Sequence, residues 1–166
     1  MEGSLRRLYI CGEIDSDNYQ IFSEGLAELE AESDEGVLVE LNSEGGTAFD
    51  GLAFADRIRI SPCPITIRVM GQAASAAVII LASGDKRAMA ENSWVFVHED
   101  SLSEVSGSIS QIEKQGREGR RFETQWSDLL AKLTTSSSTT WDKLHKAETY
   151  LNPNECLELG LIDEIV

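Results

Sequence analysis

Three short segments of this chain carry residue types suited to covalent chemistry. The first is Gly71-Gln72-Ala73-Ala74-Ser75-Ala76-Ala77, which follows directly on the apolar run ending at Met70. A serine at a strand-to-helix junction displays its hydroxyl, with first-turn helix amides nearby to receive an anion. The flanking alanines leave room for a substrate backbone. The competing reading is a small-residue helix packed on a sheet that merely tolerates Ser75, and the GxSxG elbow of lipases is absent. The second segment is Trp94-Val95-Phe96-Val97-His98, an apolar strand delivering one of the chain's two histidines at its end. An imidazole there suits general-base work near neutral pH, although a histidine at a strand end is often only a polar terminus. Glu99 and Asp100 follow with no second histidine at ligand spacing, so no metal site is expected. His145 stands between Lys143 and Lys146 in a polar stretch and reads as solvent-facing. The third segment is Asn42-Ser43-Glu44-Gly45-Gly46-Thr47. Paired glycines after a strand let the backbone approach a ligand and turn N–H groups toward it, or simply make a tight turn. Neither GxGxxG nor a GKS/GKT phosphate loop occurs, so nucleotide binding lacks support and no cofactor is expected.

Such residues need a frame, and the hydrophobic periodicity supplies one. Leu8–Cys11 reads as a buried strand ending at Gly12; Asp15 or Asp17 suits the N-cap of a helix with Phe22, Leu26 and Leu29 at helical spacing. Val37–Leu41 is a second strand, followed by a helix with Ala48, Leu52, Ala55 and Ile58 on one face. Ser61-Pro62-Cys63-Pro64 ends that helix. Ile65–Met70 predicts a strand, Gln72–Ala82 a helix of small and aliphatic residues, and Lys86–Ala90 and Trp94–Val97 two short strands. From Val105 to Leu133 runs a long helical segment whose apolar stripe includes Ile109, Ile112, Trp126 and Leu130. A short helix, Trp141–His145, precedes Pro153 at a helix first turn and Gly160 at a C-terminal cap, before a last strand, Leu161–Val166. Strands alternating with helices at this spacing imply an α/β fold with a mainly parallel sheet.

At 166 residues the chain fits one domain, large enough to fold without a metal or disulfide. Its 14 Lys and Arg against 29 Asp and Glu leave a net charge of −15, which argues against nucleic-acid binding and against a basic membrane-binding face. The three cysteines are far apart and in no CxxC pair, which suits a reducing, cytoplasmic compartment. Neither a secretory signal nor a membrane span is evident.

The order and spacing of the three segments closely resemble those of the ClpP family, the proteolytic subunit of Clp protease. The resemblance covers essentially the whole chain: Ile14 and the first helix, the Asn-Ser-x-Gly-Gly turn, Gly51-Leu52-Ala53, Gly71 to Ser75, the long helix after His98, and Gly160-Leu161-Ile162-Asp163. It implies a ClpP/crotonase-type βαβ superhelical spiral in a single domain, 1–166, with a protruding handle helix at about 99–133. It further implies a serine endopeptidase cutting peptides or unfolded proteins inside a ring. Ser75 would be the nucleophile, His98 its base, and the backbone N–H groups of Gly45 and Ala76 the oxyanion donors, each typically worth about 3–4 kcal/mol. The family's acid, an Asp before an aromatic, matches Glu148 in Lys146-Ala147-Glu148-Thr149-Tyr150, with Asp142 the nearest competitor.

The resemblance also implies a homo-oligomer of stacked heptameric rings, which the exposed stripe of the handle would help to join. An AAA+ unfoldase partner is implied too, but the short stretch before Leu8 disfavours it. Glu-Thr before an aromatic is shared with phage head-maturation relatives, which leans toward a phage-encoded form. Three departures, Glu44 for the usual Pro, Glu99-Asp100 for Gln-Pro, and Glu148 for Asp, motivate a second reading. In it the chain is a weakly active or silent subunit with an assembly or regulatory role. A crotonase-type acyl-CoA enzyme would need neither a Ser/His pair nor so acidic a chain. Residues 1–50 hold 13 acidic and two basic side chains; on the family's frame these would ring the entrance and disfavour acidic peptides.

Overall fold

The computed structural model describes residues 6–99 and 107–166. The chain opens with β1 (Arg7–Ile14), α1 (Ser16–Glu32), β2 (Val37–Gly46) and α2 (Ala48–Arg59). It continues through β3 (Ile65–Ala74), α3 (Ala76–Ala82), β4 (Lys86–Met89) and β5 (Trp94–Val97). After the long α4 (Ile109–Leu133) come α5 (Ser138–Lys146), β6 (Thr149–Leu151), α6 (Pro153–Glu158) and β7 (Glu164–Ile165). The strand order is β1-β2-β3-β4-β7, all parallel, with β5 beside the far end of β3 and β6 antiparallel to β5.

Period-2 alternation sets the faces of the sheet. Val37, Val39 and Leu41 of β2 and Ile65, Ile67 and Val69 of β3 are buried, whereas Leu38, Glu40, Thr66 and Arg68 are only half-buried. On that second face Glu40 pairs with Arg7 at 3.6 Å and Arg68 at 3.8 Å. On the first face α1, α2 and α3 bury Phe22, Leu26, Phe54, Ile58, Ile79 and Ile80 against the sheet. Asp15 supplies the expected cap of α1 by accepting from the Asn18 N–H at 2.8 Å. Pro153 opens α6, and Gly160 follows its C-cap, as the sequence pattern predicts.

Both glycine- and alanine-rich segments turn out to be strand rather than turn or helix. β2 runs through Gly46, which pairs with Ile14, so Gly45-Gly46 extends the ladder. β3 continues through Ala73 and Ala74, and its helix begins at Ala76 instead of Gln72. Alanine prefers helix in isolation, but partners on both sides (Ser43 opposite Ala73, Val95 and Phe96 opposite Ala73 and Ala74) hold the segment extended.

β3 is also a fork: Thr66–Val69 pair with β4, and Gln72–Ala74 with β5. The two halves meet at Gly71, whose φ of +105° suits glycine, and where an added Cβ would lie 2.7 Å from Asn42 Oδ1. The buried Ser93 hydroxyl spans the junction, donating to the Val69 carbonyl and accepting from the Gly71 N–H.

A capping box of Ser108 and Gln111 starts α4, and the expected start at Val105 lies outside the described residues. Its stripe is divided. Leu130 is buried and Trp126 packs on the core, contrary to their reading as exposed, because α5 and its buried Trp141 cover that end. Ile109 and Ile112 are 78% and 41% exposed, and most residues of the first three turns are exposed.

Candidate active site

Ser75 stands between β3 and α3 with φ +53° and ψ −123°, a conformation that L residues rarely adopt. Such strain persists only where the surroundings over-determine it. Here the Ser75 N–H donates to the Phe96 carbonyl at 2.9 Å, and the Ser75 carbonyl accepts from the Val78 N–H at 3.0 Å. The side chain makes no capping bond to α3, so its hydroxyl is not committed to helix capping.

Parallel pairing of β3 with β5 ends at Ala74 opposite Phe96, which brings His98 to the same end of the sheet as Ser75. Both line one cleft of about 510 Å³, counting its open mouth. His98 Nδ1 lies 2.6 Å from the carbonyl of Glu99. A carbonyl only accepts, so this contact places the proton on Nδ1 and leaves Nε2 as the basic nitrogen. The ring is backed by an aromatic stack. Phe96, two residues earlier on the same face of β5, lies 5.3 Å from it, and Tyr150 of β6 lies 4.2 Å from Phe96.

Gly45 closes the other side of Ser75. A Cβ there would stand 2.6 Å from both the Ala74 carbonyl oxygen and Ser75 Cβ, and 3.1 Å from the Ala76 amide nitrogen. With φ +93° the position takes glycine on both counts. The fully buried Ser43 holds this segment by donating to the Gly12 carbonyl at 2.6 Å and accepting from the Gly45 N–H at 3.0 Å. Gly45 therefore lies against the Ser75–Ala76 peptide, with its own N–H engaged by Ser43. The Ala76 N–H belongs to a helix first turn, where no carbonyl within the helix can accept it.

The candidate carboxylates occupy different places. β5 and β6 pair Val97 with Thr149, and one further step of that register sets Glu148 opposite His98. Glu148 has φ +48°, its side chain is exposed, and it does not line the cleft. Asp142 does line the cleft, and accepts from Lys146 Nζ at 2.8 Å. That hydrogen bond, with Glu99 and Glu123 farther off, holds the Lys146 ammonium above the usual lysine range. Glu44 is exposed.

His145 does not face solvent as its polar neighbours suggest. It is half-buried in the cleft wall, its Nδ1 3.5 Å from the hydroxyl of the buried Ser127. Sequence reasoning also passed over Glu123 and Lys146. The signal was present in the spacing of Asp142, His145 and Lys146, which share one helical face. Among the described residues no cluster of His, Cys, Asp and Glu could hold a metal ion, and no helix is long and apolar enough to cross a membrane.

The Clp protease family profile matches residues 4–166. The proteolytic subunit 1 of ATP-dependent Clp protease from Bifidobacterium longum is 32% identical over 132 residues, covering 78% of this chain and 57% of that protein. The proteolytic subunit from Carsonella ruddii is 27% identical over 163 residues, covering 97% of this chain and 84% of the relative. Among solved structures, a ClpP1 point mutant from Listeria monocytogenes superposes with a TM-score of 0.87 at 26% identity, covering 98% of this chain and 91% of the other. Matched from one end to the other in sequence and in fold, the chain belongs to the Clp protease family.

Proposed function

We propose that the protein is a ClpP-type serine endopeptidase in which Ser75 is the nucleophile and His98 its general base. The observation that carries this reading is the convergence of three elements. The strained Ser75, the Nε2-basic His98 and the close-packed Gly45–Ala76 backbone meet at one end of the sheet.

His98 Nε2 takes the Ser75 proton as Oγ attacks the substrate carbonyl, then returns it to the leaving amine. The oxyanion is received by the Ala76 N–H and by the Gly45 N–H, for which it competes with Ser43 Oγ. Glu148, one register step from His98, supplies the carboxylate that steadies the imidazolium. Because the Glu99 carbonyl already sets the tautomer, losing Glu148 lowers activity by about 10–100-fold, less than the loss seen where a triad acid sets it alone. The chain acts as one peptidase domain, with α4 as the handle. The exposed Ile109 and Ile112 on its first turns support a homo-oligomer, read here as stacked heptameric rings that admit peptides or unfolded proteins. Three free thiols suit work in the cytoplasm, and the relatives' ATP-dependent names point to an ATP-driven partner.

A fluorophosphonate probe tests the chemistry. Covalent labelling of Ser75 that disappears in Ser75→Ala and His98→Ala supports the peptidase. An assembled ring that takes no label would instead be the silent assembly subunit, the reading that Glu44 and Glu148 motivate.

A further inference from the structure

We propose, resting on Ser75 as the nucleophile, that Ser43 is a positioning residue whose hydroxyl fixes the oxyanion-binding backbone at Gly45. The two ladders that flank β2 both break at this point. On the β1 side Cys11 pairs with Asn42 and Glu13 with Gly45, so Ser43 and Glu44 stand opposite Gly12 alone. On the β3 side Leu41 pairs with Val69 and Ser43 with Ala73, which leaves Asn42 opposite three residues. Extra residues of this kind re-aim a strand at the expense of regular ladder bonds. The backbone beyond the break is not fixed by its own sterics either. Gly45 and Gly46 have φ of +93° and +154°, and glycine moves among such angles with little resistance.

The Ser43 side chain supplies what the ladder lacks. It is fully buried, and its single proton goes to the Gly12 carbonyl at 2.6 Å. A hydroxyl so committed meets the Gly45 N–H, at 3.0 Å, as an acceptor only. One oxygen thus ties β1 to the first of the two glycines, and Gly45 stays against the Ser75–Ala76 peptide. An oxyanion site works because its donors are in place before charge develops. Without the hydroxyl, the Gly12 carbonyl and the Gly45 N–H lose their shared partner, and the paired glycines can turn away from Ser75. During the reaction the N–H leaves a neutral acceptor for a charged one, which is the stronger bond, so guidance outweighs competition.

Ser93 provides a matched control. It too is buried, donating to the Val69 carbonyl at 3.1 Å and accepting from the Gly71 N–H at 3.0 Å, but it ties the fork of β3 and not the glycine against Ser75. Ser43→Ala and Ser93→Ala are compared with wild type in the assembled protein. The readouts are fluorophosphonate labelling, turnover of a peptidyl-coumarin amide and the denaturation midpoint. Both variants should lose stability to a similar extent. Only Ser43→Ala should label about 10–100-fold more slowly, with the same fall in kcat and KM held within about twofold. Ser43→Cys keeps the shape of the side chain and weakens both bonds. It should fall between the two, and it carries the comparison if the alanine variant does not fold. Labelling of folded Ser43→Ala or Ser43→Cys at the wild-type rate overturns the proposal. Faster labelling does so too, because the hydroxyl would then be only a competitor. Equal slowing in Ser93→Ala would reduce the effect to general loosening and overturn it as well. Each of these leaves the peptidase standing, since wild type takes the label. Wild type that neither labels nor cleaves overturns the peptidase reading, and this proposal falls with it.

Discussion

Replacing Gly45 by alanine tests the idea that backbone closeness, as much as the Ser/His pair, makes this a reactive centre. The new methyl would stand 2.6 Å from Ser75 Cβ and from the Ala74 carbonyl oxygen, where ordinary contact begins at 3.4 Å. One partner must therefore retreat by about 0.8 Å, and both are backbone or one bond from it. The φ of +93° adds strain of about 1–3 kcal/mol that glycine does not feel. A displacement near an ångström at a reacting atom costs on the order of 10²-fold, and loss of an oxyanion donor a similar factor. We therefore expect Gly45→Ala to label with fluorophosphonate about 10²-fold more slowly and to lose about 2–4 kcal/mol in a denaturant titration. Gly116→Ala is the matched control. Its methyl meets only Arg120 Nη2 at 3.8 Å in an exposed helix, so it should gain up to about 1 kcal/mol and keep its labelling rate. Gly45→Ala labelling as fast as wild type in folded protein would refute the role assigned to the close approach.

Two further outcomes concern the frame. Glu30 accepts two hydrogen bonds from Arg57, at 2.9 and 2.6 Å, and one from Ser61, and these hold its carboxyl below the usual value of 4.5. Its contribution to stability is fully present above that value and fades as pH falls through the lower folded one. Glu30→Gln should therefore cost about 2 kcal/mol at neutral pH, and the gap should narrow below about pH 4. Parallel stability curves down to acid pH would contradict this. Cys156 is buried, which pushes its thiol up to about 12, and Cys63 is buried against the Ser33 carbonyl. An aromatic disulfide reagent at about pH 8 should titrate Cys11 rapidly and reach the other two only on unfolding. Equal rates for all three thiols in native protein would show that the burial is wrong.

What could be read from residues alone followed how local the physics was. Ser75 and His98 stood out because a small-residue junction and a strand-end imidazole are short-range patterns. The parallel βαβ frame followed from period-2 runs such as Val37–Leu41 alternating with helical spacing such as Phe22, Leu26 and Leu29. Ala73 and Ala74 misled because their extended form is imposed by neighbouring strands that are remote in sequence. β6 was missed because three residues with an exposed Tyr150 at their centre carry no periodicity; its pairing with β5 makes it a strand. His145 was misjudged because its environment is set by α4, which a reading of its flanking lysines does not see.

The fork in β3 divides the labour of this molecule in a way that matters for its evolution. Ser75 and the glycine against it hang from β2 and β3, whose core-facing residues are buried, so that changes there are costly. Glu123, Asp142 and Lys146 hang from α4 and α5, at positions that are half-buried or exposed, where most substitutions are nearly neutral to folding. Selection can thus rewrite the lining of the cleft while leaving Ser75 and His98 untouched. An engineer can do the same, exchanging charges on two helices to alter the cleft without rebuilding the strands that carry Ser75 and His98.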